Sequence, residues 1–245
     1  MKALLVVAHP EPASFNGALH RAAEQTLRGA GHEVVVSDLY AMGWNPVAGP
    51  GDVGEREDPQ RFRLDKEQTY AHERGTVAPD IVAEQVKIAW ADLVVLQYPM
   101  WWFGPPAILK GWFDRVFTRG FAYLPGHKYD TGLLRGKTAL VSVTTGTSAD
   151  TYAPDGIDGA LLDVLWPVHN GLLRYTGFDV LEPVAVHAPG RMTEDERAAL
   201  LDRYAAELRA VESRRRLFFH PREDYGDDER LLPHVEIRSG FQQRG

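Results

Sequence analysis

Three short stretches carry residue types that could bind a planar, charged ligand. The first, His9 to Asn16, follows an apolar run and offers Ser14 and Asn16 as N-caps for a helix. A strand, a polar loop and a helix N-terminus in that order can hold phosphate on free backbone N–H groups and the positive end of the helix dipole, with His9 as a further donor. The common bland alternative is that Ser14 only caps a helix. The second stretch, Pro99-Met100-Trp101-Trp102-Phe103, has no polar residue and is followed by Gly104-Pro105-Pro106. Four large apolar side chains on a loop need a flat apolar partner, for which a tricyclic flavin ring is suited; otherwise they plug the core. The third stretch, Thr144-Thr145-Gly146-Thr147-Ser148, combines small hydroxyl residues with glycine, so its backbone N–H groups can approach a ring edge and hydrogen-bond its nitrogens and carbonyls.

Each stretch follows a predicted strand. Lys2–Ala8, Leu93–Gln97 and Lys137–Thr144 are short apolar runs, the pattern of strands buried on both faces. Glu33–Leu39 and Val180–Val186 complete the set, the last broken by Pro183. Helices are expected from about Asn16 to Gly29, Pro79 to Ala91, Ala107 to Phe117, Leu161 to Tyr175 with a kink at Trp166-Pro167, and from a Thr193/Glu196 capping box to about Arg216. Strands and helices that alternate predict an α/β doubly wound parallel sheet of five strands, order 2-1-3-4-5, with helices on both faces. In such a sheet the loops after strands one, three and four converge on one ligand.

Residues 1–216 are expected to form this unit. A long insertion spans 40–80, where pattern dissolves into Pro, Gly, Asp and Arg, and 217–245 form an irregular tail that packs back or reaches across a dimer. Gly49-Pro50-Gly51-Asp52-Val53-Gly54 has the spacing of a dinucleotide fingerprint but no preceding strand, and is rejected. Arg214-Arg215-Arg216 is read as the positive close of the last helix.

The 245 residues carry a formal charge of −7, which argues against nucleic acid as the main partner. With no cysteine, thiol chemistry and disulfides are excluded and a reducing compartment fits. The apolar run at Leu4–Ala8 stops far short of a signal or membrane span, so a cytoplasmic location is expected. His20, His32, His72, His127, His169, His187, His220 and His234 show no metal-ligand spacing and are assigned surface or packing roles; no metal is expected.

Several segments together resemble a known family. These are His9 with Ser14-Phe15-Asn16, Ser37 to Met42, Pro79 to Gln85, Trp102-Phe103-Gly104 with Pro106 to Phe113, Thr144-Thr145-Gly146, and Leu165-Trp166-Pro167. The chain up to about Phe219 resembles the FAD-dependent NAD(P)H:quinone oxidoreductases of DT-diaphorase type, within the flavodoxin-like superfamily. The resemblance implies two-electron hydride transfer from NAD(P)H to quinones by a ping-pong cycle, in a homodimer. It places His9, Ser14, Phe15, Asn16 and Ala18 at the FAD pyrophosphate and ribityl region, Pro99, Met100, Trp101, Trp102 and Phe103 along the isoalloxazine, and Thr144, Thr145, Gly146 and Thr147 at its polar edge. Asp114 and Arg197 match positions at the adenine half. Tyr123 and Tyr175, with Trp102 and Phe103, would line the pocket where nicotinamide and quinone bind in turn. The insertion favours FAD over the smaller FMN.

Where the family pairs a tyrosine with a histidine near the flavin, this chain has Tyr152 and Asp158, and a second pocket tyrosine is replaced by Pro125. Tyr152 can donate to the charge that develops on the reduced ring. An ionised Asp158 cannot, so it is expected either to take up a proton or to turn aside and orient Tyr152; the bland alternative is a solvated acid at a helix start. Two other readings stay open: a flavin-binding ancillary subunit of a potassium efflux system, docked on a membrane partner, and an azo or nitro reductase.

Overall fold

A computed structural model describes residues 1–238. The chain runs β1 (Lys2–Val7), α1 (Phe15–Gly29), β2 (Glu33–Asp38), α2 (Leu64–Arg74), α3 (Pro79–Trp90), β3 (Leu93–Pro99), α4 (Ala107–Val116) and β4 (Thr138–Thr145). It continues through α5 (Leu161–Val164), α6 (Trp166–Val168), a π-helical segment (His169–Arg174), β5 (Asp179–Val180), β6 (Val184–His187) and α7 (Glu194–Arg209).

The strands are parallel and ordered β2-β1-β3-β4, and β5 and β6 both pair with β4, at its start and its end respectively. All seven residues of β3 are buried, as the central position requires. Side chains that alternate along each strand divide the core into two layers. Leu4, Val6, Val94, Leu96, Val141 and Val143 point to one, together with Ile81 and Ile88 of α3 and Trp112 and Phe113 of α4. Ala3, Leu5, Leu93, Val95 and Leu140 point to the other, under Leu19 and Leu27 of α1 and Tyr204 and Leu208 of α7. The α/β doubly wound sheet is thus as expected.

The break expected in the fifth lane at Pro183 is present, and two expectations need correction. The fifth lane is two strands, because Pro183 has no N–H to give the ladder. Leu181 N–H still reaches Ala139 O at 2.9 Å, and pairing resumes at Val184. The last α-helix ends at Arg209 rather than near Arg216, and the arginine run starts only after a separate 3₁₀ turn, Val211–Ser213, which Arg214 caps. The Arg214 guanidinium donates to the carbonyls of Glu182 (2.6 Å) and Pro183 (2.9 Å), which the break leaves without strand partners. Finally, the insertion contains a helix, α2. Its buried face is Glu67, Gln68 and Ala71, so no apolar period marks it. The Glu67 carboxylate accepts the N–H groups of Glu57 (2.8 Å) and Asp58 (3.2 Å), and Gln68 accepts that of Arg119.

The insertion is pinned to the body by Arg115 of α4, 4 % exposed, which ion-pairs with Asp52 at 2.9 Å and Asp80 at 2.8 Å and lies over the Trp44 ring. Gly111, one turn earlier, allows the approach: a Cβ there would sit 2.1 Å from Pro46 O. Gly49–Gly54 forms a 3₁₀ turn with no preceding strand, as its rejection anticipated.

The helix expected over 161–175 breaks at Leu165, beside Trp166-Pro167, and continues as the π segment. His169 opens that segment, 1 % exposed and with no partner for Nε2 among the described residues. Burial lowers its pKa to about 4. An unfolded chain takes up the proton near the ordinary value of 6.5, so the unfolded state binds more protons between those values and stability falls as pH drops through them. At pH 5 this amounts to about 2 kcal/mol. His169→Met should remove most of that loss, as urea melts of both proteins at pH 7 and pH 5 would show.

Past α7 the chain folds back on the body. Leu217 N–H meets Val180 O, Phe219 packs on the first layer against Trp166, and Asp130 accepts from both Arg174 and the Arg222 N–H. Residues 239–245 of the tail, Phe241 among them, lie outside the described residues.

Candidate active site

The loops after β1, β3 and β4 meet at the carboxyl edge of the sheet. Ala8 N–H donates to Gln97 O (3.0 Å) and Met100 N–H to Thr144 O (2.8 Å). Asn16, 4 % exposed, ties them across: its amide donates to Thr144 Oγ1 at 2.8 Å and accepts from Gln97 Nε2 at 2.8 Å. Both ends of that amide are engaged inside the protein, so Asn16 acts here as a strut between loops.

In the first loop Ser14 caps α1 and its Oγ accepts from Gly17 N–H at 3.2 Å. His9 Nδ1 accepts from Glu11 N–H at 3.0 Å and stands 3.0 Å from Ser14 Oγ. Nδ1 also stands 3.1 Å from Glu11 O, so this nitrogen is engaged within the loop in either tautomer, and His9 flanks the start of this 15-residue helix, where an anion would be held. Phe15 packs on the second core layer, and Ala18 N–H is held by Ser14 O at 3.0 Å. Gly17 is needed because a Cβ there would lie 2.0 Å from Pro12 O, within the same loop. Gly17→Ala should therefore push the loop off the helix and cost about 1–3 kcal/mol, read by thermal denaturation.

The second loop is a tight hairpin. Trp101 and Gly104 exchange both backbone hydrogen bonds (3.0 and 3.1 Å), and the two residues between them, Trp102 and Phe103, have φ of 51° and 59°. Two left-handed central residues define a type I′ turn, which ordinarily selects Asn-Gly. Here two bulky aromatics occupy it, and Trp102 is 97 % exposed. Among the described residues neither Trp102 nor Phe103 N–H has a hydrogen-bond partner. Pro99 and Met100 are buried beneath, and the Trp101 ring lies 6.4 Å from that of His9. The alternative that these aromatics plug the core is excluded for Trp101, Trp102 and Phe103 by their exposure.

In the third loop Thr144 and Thr145 are buried and Gly146 is exposed. Thr147 Oγ1 donates to Asp158 at 3.1 Å and receives Thr151 Oγ1 at 2.9 Å. Asp158 is therefore no solvated acid at a helix start; it holds the loop. Tyr152 reaches Met100 Sδ at 3.6 Å, and burial raises its phenol pKa, so it remains a donor at neutral pH. The sequence reading missed His187. It closes β6, pairs in register with Thr145, and lies 5.6 Å from the Tyr152 ring. A lone histidine at the end of an apolar run carries no spacing signal that could have singled it out.

Four predicted residues are not in contact with this cluster. Tyr123 and Tyr175 meet edge to face at 5.6 Å and line a separate cleft of about 280 Å³ with Leu64, Gln68, Asp114 and Phe117. Asp114 is paired with Lys110, and Arg197, in the first turn of α7, donates to Met192 O. What the edge offers is a capped helix start, an exposed aromatic turn with two open N–H groups among the described residues and a polar hydroxyl loop, joined by buried side-chain bonds.

Comparison with known proteins shows the family. Residues 1–210 match the family model described as a flavodoxin-like fold. The chain is 45 % identical over 221 residues to NAD(P)H dehydrogenase (quinone) 1 of Rattus norvegicus, with 90 % of this chain and 81 % of that one covered. It is 44 % identical over 212 residues to ribosyldihydronicotinamide dehydrogenase (quinone) of Homo sapiens, covering 86 % and 91 %. Among solved structures, a candidate quinone reductase from Klebsiella pneumoniae superposes with a TM-score of 0.90 at 39 % identity, covering 100 % of this chain and 97 % of that one. The chain belongs to the flavodoxin-like family, in the branch that holds the NAD(P)H and ribosyldihydronicotinamide quinone dehydrogenases.

Proposed function

We propose that this protein is a cytoplasmic NAD(P)H:quinone oxidoreductase that binds FAD and works as a homodimer. The observation that carries the proposal is the Trp102–Phe103 turn. Its central residues lie in the left-handed region, the Trp102 ring is almost fully exposed, and it stands between a helix start suited to phosphate and a loop of hydroxyls. Trp102 and Phe103 would hold an isoalloxazine by its face, and Thr144, Thr145, Gly146 and Thr147 would meet its polar edge. His9, Ser14 and the helix start suit the pyrophosphate, while Phe15 and Ala18 stand close by it. The bound flavin supplies the two-electron relay between nicotinamide and quinone. The chain's own part is to orient both substrates in turn on the exposed face of the ring and to donate from Tyr152 Oη to the polar edge, with Asp158 steadying the loop through Thr147.

The insertion supports FAD over FMN by providing wall for an adenine half, for which Asp114 and Arg197 are the charged candidates. A second copy is supported by the Tyr123–Tyr175 cleft. At about 280 Å³ it falls just below the usual range of about 300–1,000 Å³ for a small-molecule pocket, and it lacks a reactive centre of its own. Closing it against the Trp102 turn of a partner gives one complete pocket from two incomplete ones.

The purified protein should be yellow, release FAD on heat denaturation, elute as a dimer, and oxidise NADH or NADPH with menadione and no added protein. A colourless preparation that binds neither FAD nor FMN would overturn the flavin reading. Bound flavin without menadione turnover would overturn the enzymatic one.

A further inference from the structure

His187 has a defined tautomer. Thr145 Oγ1 donates to Thr147 O at 2.9 Å and stands 3.0 Å from His187 Nδ1. A hydroxyl has one proton, and a carbonyl can only accept, so that proton is committed to Thr147. The second contact must then run from His187 Nδ1–H to Thr145 Oγ1. The neutral ring carries its proton on Nδ1, and Nε2 is left as a bare acceptor. Nε2 has no hydrogen-bond partner among the described residues and is not among the atoms sealed from solvent.

The ring is held firmly. His187 is opposite Thr145 in the β4–β6 ladder, and Ala188, in the left-handed region at φ 45°, bonds back to Thr145 O at 2.9 Å. The Tyr152 ring packs on it at an interplanar angle of 37°. Burial lowers the histidine's pKa, which keeps the acceptor form at neutral pH. The ionisable group packed on it is the Tyr152 phenol, a neutral donor, and no charged group contributes to the shift.

An acceptor at the polar-edge loop selects a ligand with a donor. Oxidised isoalloxazine presents acceptors at N1, O2, O4 and N5, and a single N–H, at N3. We propose that His187 Nε2 accepts the N3–H of the flavin and so sets the orientation of the ring over the Trp102 turn, an inference that rests on the flavin reading above. His187 thereby belongs to the cofactor site as a positioning residue contributed by the strand end of β6, independently of Tyr152 and Asp158.

The test is binding, not turnover. Apoprotein is titrated with FAD and with N3-methyl FAD, read by flavin fluorescence. Wild type should prefer FAD by about tenfold or more, the weight of one hydrogen bond to a defined partner. His187→Asn can keep a donor near Thr145 but has no acceptor at the Nε2 position, and its preference should shrink to about twofold or less. His187→Gln, whose amide oxygen reaches the Nε2 position, should recover most of it. In the free protein, nitrogen NMR of His187 should show a protonated Nδ1 and a bare Nε2. Equal discrimination by wild type and His187→Asn, or an Nε2–H tautomer, overturns this inference and leaves the flavin reading intact. Failure of wild type to bind either flavin overturns both.

Discussion

Replacing Trp102-Phe103 by Asn-Gly should raise stability while it weakens flavin binding. Each bulky residue in the left-handed region costs about 1–2 kcal/mol, and Asn-Gly fits that turn without strain. Trp102, at 97 % exposure, contributes almost no packing to the isolated chain, so little is lost with it. Relief of about 2 kcal/mol corresponds to a rise in Tm of roughly 5 °C for a chain of this size. The same change deletes the apolar bed for the ring, worth about 1.5–3 kcal/mol for each large side chain covered, so FAD affinity should fall by about 100-fold or more. Thermal melts of the apoprotein and flavin titrations measure the two effects separately. A variant that is less stable would show that the turn is relaxed as it stands, and one that still binds FAD tightly would show that the ring lies elsewhere.

Arg115→Ala is expected to have the largest effect on folding. The guanidinium neutralises Asp52, which is 6 % exposed, and donates to Asn45 O as well as to Asp80. Removing it leaves a buried carboxylate without its cation, a change that costs about 3–5 kcal/mol and lowers Tm by roughly 10 °C. The damage should be local first, because Arg115 also covers Trp44 and so anchors both ends of the insertion. Limited proteolysis should cut the variant within 40–78 under conditions where wild type stays whole. Asp80→Asn is the control. That carboxylate is about half exposed, and its loss should cost under about 1 kcal/mol. If both variants melt alike, the buried pair is not what holds the insertion.

The parts legible in sequence share one property: their determinants are local. The β1, β3 and β4 strands are runs of apolar residues, and their burial on both faces is what such runs signify. Thr193 and Glu196 form the reciprocal cap that their spacing announces, at 2.7 and 3.3 Å. The parts that were illegible depend on distant partners. Helix α2 buries a carboxylate and an amide, which read as surface until the backbone groups they satisfy are known. The arginine run lies against the fifth lane, where Glu182 N–H donates to Arg215 O and Arg214 fills the gap at Pro183. In the site, the composition of the aromatic loop was visible but not its backbone, since Trp-Phe gives no turn signal. His187 became part of the site only through its register with Thr145.

The way Arg214 and Leu217 reach back across the fifth lane sets where the chain can be shortened. A protein ended at residue 210, the last position that the family model matches, would keep every helix named above. It would nevertheless lose the guanidinium that donates to two backbone carbonyls, and the amide that donates to Val180 O. The outer margin of the sheet would fray, and His187 sits at the end of that margin. Trimming such a chain for crystallisation or fusion should therefore stop no earlier than Phe219, whose ring closes over Trp166.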